Sequence, residues 1–315
     1  ERMGTIIGTT TGGMENLADQ MEVCETKGPR RVSPFTMPQL IDNAAASWMA
    51  MKWNFRGPAY SLSTACSTGL DALGLAYDLI RAGSLDACLA GGAEGAVIRF
   101  TLAAFSKSGV LASGNGNPAH ACRPFDRSRD GLVMAEGACI MLLEERAHAE
   151  KRGAKILARI GGYAATHSAS RELMTPPRGA PALAAAITQA LHAAKLSPQS
   201  LGYVSAHGTG APLTDAAEAQ ALVSALGSHG SKVPVGATKS MVGHTMGAGG
   251  ALGAMAAVLA VRDGLLTPDA TFTTPDPECA LNVVAGQARQ EAVDYAMATS
   301  LGFGGHNGCL VVGKA

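Results

Sequence analysis

The sequence predicts an α/β protein built from one repeated unit, and three observations predict it. Strand-like and helix-like runs alternate along the 315 residues. A strand, a reactive corner, a helix and two further strands occur once around Cys66 and again around His244. The composition, 47% hydrophobic and 16% charged with 39 glycines, suits a large buried core and argues against disorder. The order of elements divides the chain into residues 1–155 and residues 156–315.

In the first half, AYSLST (59–64) alternates as a strand does. Leu70, Leu73, Tyr77 and Ile80 then recur at helical spacing, and Gly83 supplies a stop. ACLAGGAE (87–94) and ACIMLLEE (138–145) read as strands, separated by a Gly-, Ser- and Asn-rich excursion over 107–131 that predicts loop. The second half repeats the order. LGYVSAHG (201–208) is a strand ending in histidine, and TDAAEAQALVSAL (214–226) is a helix. VPVGATKS (233–240) is a strand leading into the glycine-rich corner and helix of 243–264. YAMATSLGFGG (295–305) and NGCLVVGK (307–314) close the chain as strands.

Several functions are disfavoured at once. Lys plus Arg equals Asp plus Glu at 25 each, so no global field draws the chain to nucleic acid or to a membrane surface. No apolar run approaches the ~20 residues of a membrane span, and ERMGTIIGTT lacks the marks of a signal peptide. The seven cysteines are scattered without a C-x-x-C pair, so neither a disulfide framework nor a metal site follows from their spacing. A reducing cytoplasm is the expected setting. There is no phosphate loop and no strand–GxGxxG–helix unit, and no cofactor is expected.

The chemistry concentrates in a few corners. A free cysteine is ordinarily a small buried apolar residue, but Cys66 directly precedes a long helix. There the unpaired N–H groups and the positive dipole end are expected to lower a thiol's pKa. Thr64, Ala65, Ser67 and Gly69 around it are small enough to admit a substrate. Among eight histidines, His207 ends a strand, where α/β sites gather. His244 lies in a glycine-rich corner five residues after Lys239. Each could instead satisfy loop carbonyls. The turn GFGGHNG (302–308) could offer backbone N–H groups to an oxyanion.

TACSTG with Cys66, SAHGTGAPLTDAAE with His207, TKSMVGHTMGAGGA with Lys239 and His244, and GFGGHN with Phe303 together resemble the β-ketoacyl-acyl-carrier-protein synthases of the Cys-His-His type. RPFDRSRDGLVMAEGA (123–138) and TPDPEC (274–279) fit the same pattern, in the same order along the whole chain. The resemblance implies a thiolase-like fold: two pseudo-equivalent α/β halves in five layers, assembled as a homodimer. Family members carry further strand–helix units in front of RMGTIIGTT, so the first half is expected to be incomplete, with an exposed edge and apolar face.

The resemblance also implies roles. Cys66 would accept an acyl group from acyl carrier protein, with the backbone N–H groups of Cys66 and Phe303 as oxyanion hole and Phe303 as gate. His207 and His244 would hold the malonyl thioester carbonyl during decarboxylation, with Lys239 in the catalytic set and Glu218 and Thr209 in support. Thr11 takes a position that lines the acyl pocket, and Arg30 and Arg31 stand where relatives dock the acidic carrier. Gly253 occupies the place of a glutamate that usually partners the lysine, leaving Glu218 as the nearby acid. The expected reaction is decarboxylative condensation of an acyl thioester with malonyl-carrier protein. A non-catalytic chain-length-factor-like partner and a cysteine thioesterase are the alternatives, and a thiolase would need a second catalytic cysteine.

Overall fold

The computed structural model describes residues 2–114 and 116–315. The strands are β1 (Met3–Gly8), β2 (Ala59–Tyr60), β3 (Ala87–Glu94), β4 (Gly137–Glu144), β5 (Arg159–His167), β6 (Tyr203–Ser205), β7 (Pro234–Gly236), β8 (Leu265–Leu266), β9 (Asn282–Val283), β10 (Arg289–Gln290), β11 (Tyr295–Gly302) and β12 (His306–Gly313). The helices are α1 (Met14–Lys27), α2 (Thr36–Leu40), α3 (Ala44–Trp53), α4 (Thr68–Arg81), α5 (Arg99–Lys107), α6 (Arg146–Lys151), α7 (Pro181–Ala194), α8 (Pro212–Leu226), α9 (Lys239–Val242) and α10 (Gly249–Asp263).

Two sheets carry the repeat. The first runs β2-β1-β3-β4 and the second β5-β12-β11-β6-β7-β9. In the first, β1 pairs in parallel with β2 and β3, and β3 pairs antiparallel with β4. The second repeats this: β6 is parallel to β7 and β11, and β11 is antiparallel to β12. α4 follows β2 as α10 follows β7. The halves differ at the far edge, where β5 pairs antiparallel with β12 but no described strand stands beside β4. The first sheet has four described strands and the second six.

Layering follows from which faces are apolar. α4 buries Leu70, Leu73 and Ala76, and α10 buries Ala251, Ala254, Ala257 and Val261, all between the two sheets. A Cβ on Gly250 would lie 2.8 Å from the Leu70 backbone nitrogen, so the glycine lets α10 press against α4. That approach draws the corner before each helix toward the other. On the outer face of the second sheet, Leu183, Ile187 and Leu191 of α7 pack with Leu222 and Leu226 of α8. Against the outer face of the first sheet, Thr5 Oγ1 donates to the Ala46 carbonyl of α3 at 3.0 Å. The order is therefore α1–α3, sheet, α4 with α10, sheet, α7 with α8.

The outer layer of the first half is thin. α1 buries no residue, and Phe35, Met37, Trp48, Met51 and Trp53 are exposed. Residues 61–64, expected as strand, join no ladder beyond Tyr60, and Thr64 makes only an isolated bridge to Cys66. β5 and α7 were not anticipated from the sequence. No helix among the described residues is long and apolar enough to cross a membrane.

Candidate active site

Cys66 stands at the turn between β2 and α4. Ala65 before it has φ 50°, a left-handed conformation that costs a non-glycine residue about 1–2 kcal/mol. Local hydrogen bonds hold the turn. Thr68 Oγ1 donates to the Ala65 carbonyl at 2.6 Å and accepts the Thr64 N–H at 2.8 Å. The Ser67 N–H reaches the Thr64 carbonyl at 3.1 Å, and Ser300 Oγ of β11 donates to the Cys66 carbonyl at 3.0 Å. The nucleophile candidate is thus tied to both halves.

The lowered thiol pKa expected at this helix start is not what the structure gives. Burial beside Leu132, Met134 and Met246 pushes the Cys66 thiol up to about 11, and Glu94 adds to the rise. The Lys239 charge and the backbone N–H groups of Phe303 and Cys66 pull the other way without prevailing.

His207 follows β6 and His244 lies between α9 and α10, their rings edge to face with centroids 5.5 Å apart. The His244 backbone pairs with 133–135 of the first half: its N–H donates to the Val133 carbonyl at 2.7 Å and its carbonyl accepts from Ala135 at 2.9 Å. Burial holds both imidazoles well below the ordinary histidine range, and the neighbouring Lys239 charge adds to the effect. Both rings are neutral at pH 7. His244 Nδ1 is buried without a hydrogen-bond partner among the described residues.

Lys239 opens α9 and is buried. Its Nζ donates to the His207 carbonyl at 2.5 Å and lies 3.4 Å from His207 Nδ1. Burial pulls the ammonium below its ordinary range, opposed by Glu218. Glu218 does not bond the lysine directly. It accepts the His207 N–H (2.8 Å), the Gly208 N–H (2.8 Å) and Thr299 Oγ1 (2.6 Å), and so supports the turn that carries His207. At Gly253, an added Cβ would meet Ser205 Oγ at 3.5 Å and Ala298 Cβ at 3.9 Å, both ordinary contacts.

Cys66, His207, His244, Thr209 and Phe303 line one cavity of about 240 Å³, whose lining also includes 172–177 and 211–214. The Phe303 ring stacks on Phe105 of α5 at 6.3 Å between centroids. The Gly304 N–H donates to the Leu173 carbonyl at 2.7 Å, tying the glycine turn to the 172–177 wall of the cavity.

Thr11 does not line this cavity. Its hydroxyl donates to Glu94 at 2.7 Å, a buried carboxylate that also accepts from Thr9 Oγ1 at 2.9 Å and from the Gly247 N–H at 3.0 Å. Arg30 and Arg31 are exposed on the turn after α1 and form no ion pair among the described residues.

Asp215 escaped the sequence reading. Fully buried in the first turn of α8, it accepts the N–H groups of Phe125 (2.9 Å), Thr209 (2.9 Å) and Gly210 (3.0 Å). It thereby joins the 107–131 excursion to the His207 turn. The signal was the D-x-x-E spacing of Asp215 and Glu218 at the head of an otherwise apolar helix. Phe105 left no such signal.

Residues 1–149 match the family model of the β-ketoacyl synthase N-terminal domain, and residues 157–273 that of its C-terminal domain. The chain belongs to the β-ketoacyl synthase family. It is 41% identical to a 3-oxoacyl-[acyl-carrier-protein] synthase 2 of Synechocystis sp., covering 100% of this chain and 75% of the relative. A namesake from Staphylococcus aureus is 38% identical over the same shares. Among solved structures, a type II PKS ketosynthase in complex with its acyl-carrier protein and bound to the hexaketide superposes with a TM-score of 0.95 at 32% identity, covering 100% of this chain and 78% of that one. A β-ketoacyl synthase from Burkholderia phymatum gives 0.91 at 33% identity, covering 100% and 76%.

Proposed function

We propose that this chain catalyses decarboxylative Claisen condensation between an acyl group on Cys66 and malonyl-acyl-carrier protein, giving a 3-ketoacyl thioester two carbons longer. Carrying the reading is the convergence of one thiol and two neutral imidazoles on a single cavity, with a lysine behind one imidazole. In the first step Cys66 Sγ attacks the acyl thioester carbon, the pantetheine C–S bond breaks, and the thiol proton passes to the departing sulfur. The backbone N–H groups of Cys66 and Phe303 face the sulfur and can receive the oxyanion.

Malonyl thioester then enters. His207 and His244 donate to its thioester carbonyl, carbon dioxide leaves, and the electron pair of the broken C–C bond moves into the enolate. The enolate carbon attacks the acyl carbon, and the Cys66 sulfur departs as thiolate and takes up one proton from solvent. Neutral donors suit this task, because developing enolate charge needs hydrogen bonds rather than a strong base. Lys239 donating toward His207 Nδ1 keeps the ring proton on Nε2, where it can serve the substrate.

A thioesterase needs a histidine base oriented by an acid. Here a lysine faces His207 Nδ1, and His244 Nδ1 has no hydrogen-bond partner among the described residues, which disfavours hydrolysis. An intact Cys66 disfavours a non-catalytic partner role. We also read the working form as a cytoplasmic homodimer that meets acyl carrier protein at Arg30 and Arg31. The exposed apolar side chains of α2 and α3 and the free state of all seven cysteines support that reading. Intact-mass measurement after acyl-carrier protein, then product analysis after malonyl-carrier protein, tests it: acylated Cys66 and a 3-ketoacyl product are expected, and free acid alone would overturn it.

A further inference from the structure

Behind the Cys66 turn lies a carboxylate that the mechanism above does not use. Asp71, in the first turn of α4, is 5% exposed. Its Oδ2 accepts the Thr64 hydroxyl at 2.6 Å and its Oδ1 accepts the Tyr163 hydroxyl at 3.0 Å. Thr64 belongs to the left-handed turn that presents Cys66, whereas Tyr163 comes from β5 of the second half. The tyrosine ring lies flat on α4: a Cβ on Gly74 would fall 2.3 Å from ring carbons, so only glycine leaves room for it. His306 and Asp78 complete the titratable surroundings of the pair.

We infer that Asp71 is a positioning residue for the condensing centre, fixed by Tyr163 and in turn fixing Thr64, so that the second half holds the turn that aims Cys66 into the cavity. The inference rests on the reading of Cys66 as nucleophile. A left-handed Ala65 persists only while its neighbours over-determine it. Thr68 bonds the turn from within α4, but the Thr64–Asp71–Tyr163 chain is a side-chain link from that turn across to the second sheet. Asp71 touches neither the cavity nor any reacting atom, so its effect must pass through Thr64. A carboxylate is suited to this place because it accepts from two hydroxyls at once, whereas an amide offers a single acceptor oxygen.

Two half-reactions separate the role from simple loss of structure. Asp71→Ala, Thr64→Val and Tyr163→Phe are compared with the parent protein for the rate of acyl transfer to Cys66 and for malonyl-carrier decarboxylation. The expected result is a fall in acyl transfer on the order of 10–10²-fold for Asp71→Ala and Thr64→Val. A smaller fall is expected for Tyr163→Phe and partial rescue in Asp71→Asn, with decarboxylation by His207 and His244 within about twofold of the parent in each. The midpoint of Cys66 alkylation with pH should also drop in Asp71→Ala, because a loosened turn admits water to the thiol. Unchanged acyl transfer and an unchanged alkylation midpoint in both Asp71→Ala and Thr64→Val would overturn the inference, as would an equal loss of both half-reactions in the near-isosteric Thr64→Val and Tyr163→Phe. A parent protein whose Cys66 alkylates but never carries an acyl group would overturn the nucleophile reading instead.

Discussion

The Lys239 ammonium sits 3.4 Å from Nδ1 of His207 and 2.5 Å from the carbonyl oxygen of the same residue. One cation thus grips both the backbone and the ring of a histidine that lines the cavity. Lys239→Met should release the ring tautomer and slow malonyl decarboxylation on the order of 10²-fold. It should also remove a charge that lowers the Cys66 thiol, so alkylation of Cys66 at fixed pH should slow as well. Decarboxylation at the parent rate would refute the tautomer argument.

His207 and His244 each offer a donor to the enolate. Replacing either with alanine should reduce decarboxylation about 10²–10³-fold while leaving acyl transfer to Cys66 measurable. Rapid-quench analysis of the two half-reactions checks this. Abolished acyl transfer together with normal decarboxylation would reverse the assignment.

The pH behaviour follows from burial. Both imidazoles are held well below the ordinary 6.5, so the rate of decarboxylation should show no inflection between about pH 8 and pH 6.5. Stability moves with them. The unfolded chain takes up these protons first as pH falls, so folding should weaken progressively below the ordinary histidine value. Cys66 behaves oppositely to an activated thiolate: with its thiol up at about 11, alkylation should rise about tenfold per pH unit from neutrality upward. Exposed Cys24 should label first near pH 7. An alkylation plateau for Cys66 near neutrality would contradict the burial account.

Arg30 and Arg31 carry exposed charge on the turn after α1. Reversing both should raise the apparent KM for carrier-bound substrate and flatten its salt dependence, with free small thioesters unaffected. An equal loss with free thioesters would indicate damage to the fold rather than to docking.

Gly253 should accept alanine. Its Cβ would make ordinary contacts with Ser205 Oγ and Ala298, and removing a mid-helix glycine contributes about 1 kcal/mol. Thermal unfolding of Gly253→Ala should shift upward, and a downward shift would show that the space is filled by something the helix needs.

Much of this molecule was readable along the chain, because its reactive residues sit at element ends with small neighbours. Cys66 before a helix, His207 after a strand and His244 in a glycine corner stand out by local pattern, whereas Phe303 was singled out only by the family resemblance. The repeat was legible too, since strand and helix periods are properties of short windows. β5 escaped because two adjacent glycines interrupt its alternation, and α7 because its alanine-rich run carries few large apolar residues to mark a helical period. The sequence by itself determined the α/β class, the order of the repeat and which side chains could do chemistry. Only the tertiary structure decided their protonation and their company. A thiol that local reasoning would activate is raised by its burial, a lysine sought by Glu218 bonds His207 instead, and Thr11 turns to Glu94. Burial and non-local hydrogen bonds set those outcomes, and both depend on residues that are far apart along the chain.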